Sequence, residues 1–116
     1  MQLGGRSLAL AVGGGVAAYK ACDAVRELQR RVAGGIYPLL TANAADFVSP
    51  LTLSALAMRP CWSEPLALDE RGVPMHIAIA QRTDAMLVMP ATANLLARLA
   101  AGMADDPVTS AFISYT

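Results

Sequence analysis

The chain has one histidine, one tryptophan and two cysteines among its 116 residues. Two cysteines, Cys22 and Cys61, are too few for a disulfide framework, and a reduced, intracellular setting is the expectation that follows. One histidine and two distant cysteines also speak against a structural zinc site, so no metal is expected. Charge of one sign is absent too: nine Lys and Arg balance nine Asp and Glu, for a formal net charge of zero. Without a basic footprint the chain is not expected to bind nucleic acid. The longest run without a charged residue, Val32 to Ala45, covers 14 residues and contains Gly34, Gly35 and Pro38. It is too short and too interrupted to span a bilayer, and no membrane partner is expected. Arg6 followed by Leu8 to Val12 loosely imitates a secretory leader, but three glycines break the apolar run and an amphipathic helix follows. The expected location is cytoplasmic.

What is present is apolar. Hydrophobic residues make up 55% of the chain and charged residues 16%, a balance that excludes intrinsic disorder and supports a buried core. The length fits one domain, and no linker or internal repeat divides it.

Ser7 to Val12 is a short apolar run that ends in Gly13-Gly14-Gly15, the pattern of a buried strand leaving into a tight turn. A helix is expected from Val16 to Arg31, with Ala17, Ala21, Ala24 and Leu28 as its apolar stripe. Glu27 stands four residues before Arg31 in the favourable order, and Gly34-Gly35 stops the helix. Ile36 to Thr41 reads as a second strand in which Pro38 removes a donor, so that strand lies at an edge or is irregular. Ala44 to Val48 suggests a short helix. Ser49 and Pro50 form the N-cap and first position of another, over Leu51 to Met58. Arg59 to Gly72 reads as loop with a short strand near Trp62. His76 to Arg82 is helical, Asp84 to Met89 is a third apolar strand closed by Pro90, and helices are expected over Asn94 to Ala101 and Asp106 to Tyr115.

Strands alternating with helices imply right-handed crossovers and a parallel sheet, an α/β three-layer domain. Ligands of such sheets bind beyond the carboxyl ends of the strands. Gly13-Gly14-Gly15, Thr41 and Pro90-Ala-Thr-Ala-Asn94 each follow a strand, so three turns on one rim form a candidate pocket. A glycine turn between strand and helix suits a phosphate, because the backbone approaches closely and the amides and helix dipole favour an anion. A plain tight turn uses the same residues. Gly13-x-Gly15-x-x-Ala18 nominally fits the dinucleotide fingerprint, yet that fingerprint needs an acid at the end of the second strand. Leu39-Leu-Thr-Ala-Asn43 has none. Thr41 offers a hydroxyl suited to a phosphate or ribityl chain, which favours a mononucleotide over a nicotinamide cofactor.

His76 is either a surface or helix-capping histidine or a proton carrier beside the third strand and its turn. Asn94 reads as a helix N-cap or as a hydrogen-bonding partner for a ring or carboxylate. Asp105-Asp106 reads as a cap for the last helix. Cys22, near the alanine stripe, reads as structural, and nothing marks Cys61 as reactive.

Five segments occur in order: Val12-Gly-Gly-Gly-Val-Ala-Ala-Tyr-Lys20, Ala45-Asp-Phe-Val-Ser-Pro-Leu-Thr52, Met75-His-Ile-Ala-Ile-Ala80, Pro90-Ala-Thr-Ala-Asn94 and Gly102-Met-Ala-Asp-Asp106. Together they resemble the flavin-containing cysteine decarboxylase family, in its phosphopantothenoylcysteine-decarboxylating branch, over nearly the whole chain from Ser7. The resemblance implies a flavodoxin-like, Rossmann-like fold that binds FMN. It implies trimers or trimer-based dodecamers with the flavin at a subunit interface. By position, Gly14, Gly15, Val16 and Ala17 would hold the phosphate region, Thr41 and Phe47 would flank the cofactor, and Thr92, Ala93 and Asn94 would border the isoalloxazine. His76 matches the family's catalytic histidine. The implied reaction converts 4'-phosphopantothenoylcysteine to 4'-phosphopantetheine in coenzyme A biosynthesis. The flavin oxidises the cysteinyl thiol, carbon dioxide leaves, and the reduced flavin returns the electrons.

The sequence departs from that pattern in places. Leu95 follows Asn94 where the family usually has threonine, Gly13 replaces another threonine, and Val32–Tyr37 runs about one residue long. The family's next strand, its Pro-x-Met-Asn motif and its flap cysteine lie beyond Thr116, and neither Cys22 nor Cys61 matches that cysteine. The expectation is a single FMN-binding domain over 1–116, the N-terminal two-thirds of the family domain, lacking its last strand or strands. An open apolar edge beside Asp84–Met89 would then favour association. A flavin-binding regulatory or interaction protein without turnover, and a nucleotide-binding module using the glycine turn alone, are the alternatives.

Overall fold

Leu8-Ala-Leu-Ala-Val12 carries no charge and no helix breaker, and it forms the central strand of a three-stranded parallel sheet. The computed structural model describes residues 6–115. Strand β1 (Leu8–Val12) pairs on one side with β2 (Ile36–Leu40) and on the other with β3 (Ala85–Val88). All five residues of β1 are buried, as a strand covered on both faces requires.

Among the described residues five α-helices accompany the sheet: α1 (Lys20–Gln29), α2 (Pro50–Ala57), α3 (Met75–Arg82), α4 (Ala93–Ala100) and α5 (Pro107–Phe112). The pleat of β1 divides them. Leu8, Leu10 and Val12 point into one core with Ala21 and Val25 of α1 and Leu53 and Ala57 of α2. Ala9 and Ala11 point into the other, with Ile79 of α3, Leu95 of α4, and Val108 and Ala111 of α5. The result is the expected three-layer α/β architecture.

Pro38 lies on the outer strand, as anticipated. Trp62 donates its backbone N–H to the Pro38 carbonyl (3.0 Å), and Leu40 N donates to the Trp62 carbonyl (2.9 Å). In a strand both backbone groups of a residue face the same side, so the Pro38 nitrogen faces outward and the β1–β2 ladder loses nothing. Trp62 adds a single parallel bridge to Leu39, where the sequence pattern predicts a short strand. Among the described residues β3 pairs with β1 alone, and its Leu87 is exposed.

The predicted helix Val16–Arg31 is corrected in its first turn. Val16–Tyr19 is a 3-10 turn, and the α-helix starts only at Lys20. The tighter winding changes the phase, so Ala18 is buried and Ala17 exposed, and the stripe continues through Ala21 and Val25 with Cys22 and Leu28 packed beside it. The short helix expected over Ala44–Val48 is a 3-10 turn at Asn43–Asp46, and the last helix ends at Phe112 rather than Tyr115. Ser49 does cap α2, its Oγ accepting from Leu51 N at 3.1 Å with Pro50 in the first position. Asp69 clips the loop before α3. Its Oδ1 accepts from Arg71 N and Val73 N, both at 2.8 Å, and its Oδ2 accepts from Arg82 at 3.0 Å. Desolvation pushes the Asp69 carboxyl up, but the backbone N–H groups of Val73 and Arg71 and the Arg71 guanidinium outweigh it and hold the group below its ordinary range. No helix among the described residues is long and apolar enough to cross a membrane.

Candidate functional site

The chain leaves β1 for β2 on one side and returns past it to β3 on the other. At such a reversal of strand order the loops diverge and open a crevice at the carboxyl ends of the strands. A cleft of about 510 Å³ lies there, lined by Gly14, Thr41 to Asn43, Thr92, Asn94, Leu95, Arg98, Asp105 and Asp106. The three predicted rim loops therefore do converge on one cavity.

Two of the three glycines are explained by the contact between loops. Gly13 N donates to the Pro90 carbonyl at 3.1 Å, tying the turn after β1 to the turn after β3. A Cβ on Gly13 would run into that same oxygen, and one on Gly14 would lie 2.7 Å from the Asn43 Cβ. Gly15 has neither reason. Its φ of 162° is extended backbone, and a Cβ there would meet only the Thr92 methyl, at 3.7 Å. A bare backbone at this point leaves room for a ligand between the first and third loops. Val16 and Ala17 follow, exposed, as the first residues of the 3-10 turn. Their N–H groups have no acceptor within the helix, and the helix dipole adds positive potential.

Two threonines supply further donors. Thr41 Oγ1 accepts from Ala44 N at 3.2 Å and Thr92 Oγ1 from Leu95 N at 3.1 Å. With an oxygen lone pair engaged on a helix amide, each hydroxyl can still donate its hydrogen into the cleft. Thr92 is the N-cap of α4, which corrects the capping reading of Asn94: that residue is the second of the helix, exposed on the cleft wall.

The far wall has the opposite character. Arg98, one turn beyond Asn94, donates from Nη1 to Asp106 Oδ2 at 2.6 Å and pairs with Asp105 as well. The Asp106 hydrogen bond holds the guanidinium above its ordinary value even against desolvation. Two carboxylates against one cation leave this wall with a net negative charge. Asp106 also caps α5, its Oδ1 accepting from Thr109 N at 2.8 Å in a capping box, as expected for the acidic pair. An anionic group is thus repelled from Asp105 and Asp106 and drawn to the Gly14–Thr41 side, while hydroxyl and N–H groups suit the acidic wall. A phosphate monoester carrying a polyol and a ring fits this polarity. A dinucleotide does not: Thr41-Ala42-Asn43 offers no carboxylate to a ribose diol.

Of the sequence-predicted residues, Gly14, Thr41, Thr92 and Asn94 line the cleft, and Gly15 faces Thr92 at its mouth. Ala93 is exposed as the first residue of α4. Phe47, after the 3-10 turn, is half exposed and does not line the cleft. Nor does His76. It is the second residue of α3, and its ring stacks on Trp62, which bridges the outer side of β2. His76 is thus not among the residues that line the cleft of its own chain. Asn43 and Arg98 went unnoticed in the sequence. Arg98 was detectable, since it follows Asn94 by one helical turn; Asn43 was not, because only the fold sets it against Gly14. Cys61 is packed against the core, and burial pushes its thiol up to about 12, which leaves it protonated and unreactive near neutral pH.

Similar proteins share this architecture. The chain is 42% identical over 105 residues to a probable phosphopantothenoylcysteine decarboxylase of Streptococcus mutans, a match covering 90% of this chain and 58% of that one. It is 39% identical over 108 residues to the coenzyme A biosynthesis bifunctional protein CoaBC of Vibrio vulnificus, covering 93% of this chain and 27% of that protein. Among solved structures, the FMN-dependent cysteine decarboxylase TvaF from thioviridamide biosynthesis superposes with a TM-score of 0.84 at 26% identity, over 95% of this chain and 67% of that one. The chain thus spans little more than half the length of the first of these relatives and about a quarter of the second. The profile of the flavoprotein family matches residues 1–116 throughout, and the chain belongs to that family.

Proposed function

We propose that the protein binds FMN in the cleft between β1 and β3 and acts as an FMN-dependent carboxy-lyase on 4'-phosphopantothenoylcysteine in the cytoplasm. The observation that carries this reading is the polarity of the cleft. Gly14 and the Thr41 hydroxyl line the cleft on one side, the turn that follows Gly14 begins a 3-10 helix whose first amides lack helix acceptors, and the acidic pair Asp105 and Asp106 lines the same cleft. The names of the relatives and of the superposing structure support the cofactor and the substrate class.

In this reading the amides of Val16 and Ala17 and the Thr41 hydroxyl hold the phosphate. Thr92, Ala93 and Asn94 border the ring, with the Asn94 amide available to its polar edge. Bound FMN supplies the reversible two-electron chemistry that gives a cysteinyl carboxylate a route to leave as carbon dioxide. His76 serves the substrate, taking and returning the proton at its thiol sulfur. Because His76 lies outside its own chain's cleft, it acts on the cleft of a second copy. Val16, 80% exposed, and the likewise exposed Tyr19, Phe47 and Leu51 offer that copy an apolar rim. A trimer, or a dodecamer of trimers, closes such an arrangement. Phe47 flanks the cofactor from this rim.

The test is direct. Purified protein titrated with FMN should bind it, by calorimetry and by the visible flavin bands, and should release carbon dioxide from phosphopantothenoylcysteine. His76→Asn should abolish release and keep the flavin. Folded protein that ignores FMN would overturn the proposal; bound flavin without carbon dioxide would leave a flavin-binding protein without turnover.

A further inference from the structure

We propose that Trp62 is a positioning residue for His76, its indole face setting the angle at which the imidazole is presented. The inference rests on the proposed role of His76 and adds the device that holds that side chain in place.

The two rings have centroids 6.5 Å apart and planes inclined by 26°, within the separation at which offset aromatic pairs attract. The partners differ in freedom. Trp62 is fixed on every side: its backbone is bonded to Pro38 and Leu40 of β2, its indole N–H donates to the Glu64 carbonyl, and it is 3% exposed in a cluster with Leu39 and Ile79. His76 is only partly buried. Its backbone is set by the start of α3, where Met75 N donates to the Ala67 carbonyl and Ile77 N and Ala78 N donate to the Pro74 carbonyl, all at 3.0 Å. What stays unset is the side chain. A histidine χ2 has broad wells, so a flat neighbour held rigidly selects one ring plane from many. An aliphatic side chain could fill the same core volume without supplying that plane. Trp62 is too buried to touch a substrate, so its effect on the reaction passes through His76.

The sequence makes the test clean, because His76 and Trp62 are the only histidine and the only tryptophan in the chain. In the proton NMR spectrum of the full chain, the His76 ring signals should lie upfield of those of an unstructured histidine, shifted by the indole ring current. Trp62→Leu should return them downfield, and Trp62→Phe should keep part of the shift. Indole emission should titrate with the same midpoint as the His76 ring protons, since a protonated imidazole quenches a stacked indole, and His76→Asn should remove that titration. In turnover, Trp62→Leu should lower kcat by about 10- to 100-fold with KM and the flavin spectrum unchanged, and Trp62→Phe should recover most of the loss. His76 signals that stay put in Trp62→Leu, or full kcat in that variant, would overturn the proposal. Should Trp62→Leu fail to fold, wild-type emission that ignores His76 protonation overturns it equally. Activity retained in His76→Asn would instead remove the catalytic reading and leave the ring-current and emission signatures standing.

Discussion

Gly14 and Gly15 are neighbours in the chain and are glycine for different reasons. At Gly14 a methyl group would meet the Asn43 Cβ at 2.7 Å, whereas at Gly15 it would find only a van der Waals contact with Thr92. Gly14→Ala is expected to cost about 1–3 kcal/mol of stability as the second loop is forced away, seen as a lower thermal midpoint without cofactor. Gly15→Ala should leave that midpoint unchanged and weaken FMN about tenfold, a loss of about 1.4 kcal/mol in a calorimetric titration. Equal losses of stability in the two variants would show that Gly15 is structural after all. Cys61 supplies a second residue-level expectation. Burial raises its folded-state value to about 12 from an ordinary 9.0, so its contribution to stability is complete below pH 9 and is lost as pH rises toward 12. Over that window the unfolded chain releases a proton that the native one keeps, and stability falls by up to about 1.4 kcal/mol per pH unit. Denaturant unfolding of Cys61→Ala across the same range should show a shallower decline than the parent chain.

At the scale of elements, the irregular pieces do most to place the site. The 3-10 turn at Val16–Tyr19 leaves Val16 and Ala17 exposed and turns Ala18 into the core. Thr92 and Asp106 start α4 and α5 by side-chain caps, and Arg98 joins the two helices through Asp106, so the wall behind Asn94 is one unit. α2 ends less economically. Met58 closes it in the left-handed region, with φ 58°, while its side chain is 86% exposed. A left-handed residue with a Cβ is strained where glycine is not. Met58→Gly should stabilise the fold by about 0.5–1 kcal/mol, measured as a higher urea midpoint with an unchanged slope; a lower midpoint would mean that the exposed methionine makes contacts that matter.

For the whole molecule the central fact is that His76 does not line the cleft. If each site draws its imidazole from a second copy, two inactive variants with different lesions should complement each other. Mixing His76→Asn with Gly15→Asp, which places a negative charge in the anion end, should restore part of the carbon dioxide release once subunits exchange, because some interfaces then join an intact cleft to an intact histidine. A mixture as inactive as its components, with exchange verified by native mass spectrometry, would place both parts of the site within one chain. The exposed Val16, Tyr19, Phe47 and Leu51 also predict a scattering mass well above that of the 12.1 kDa chain.

The sequence alone determined the alternation of strands and helices, the Ser49–Pro50 helix start, the choice between an edge and an irregular strand at Pro38, and the three rim loops that bear Gly14, Thr41 and Thr92. Each of these depends on chemistry within a few residues: apolar period, a capping oxygen, a missing N–H, a turn after a strand. Tertiary structure decided the rest. It set Gly14 against Asn43, bound the charge of Arg98 to Asp105 and Asp106, and laid His76 on Trp62. Those relations join residues on different elements, and periodicity along a chain carries no distance between elements; only the packing of helices on the sheet supplies it.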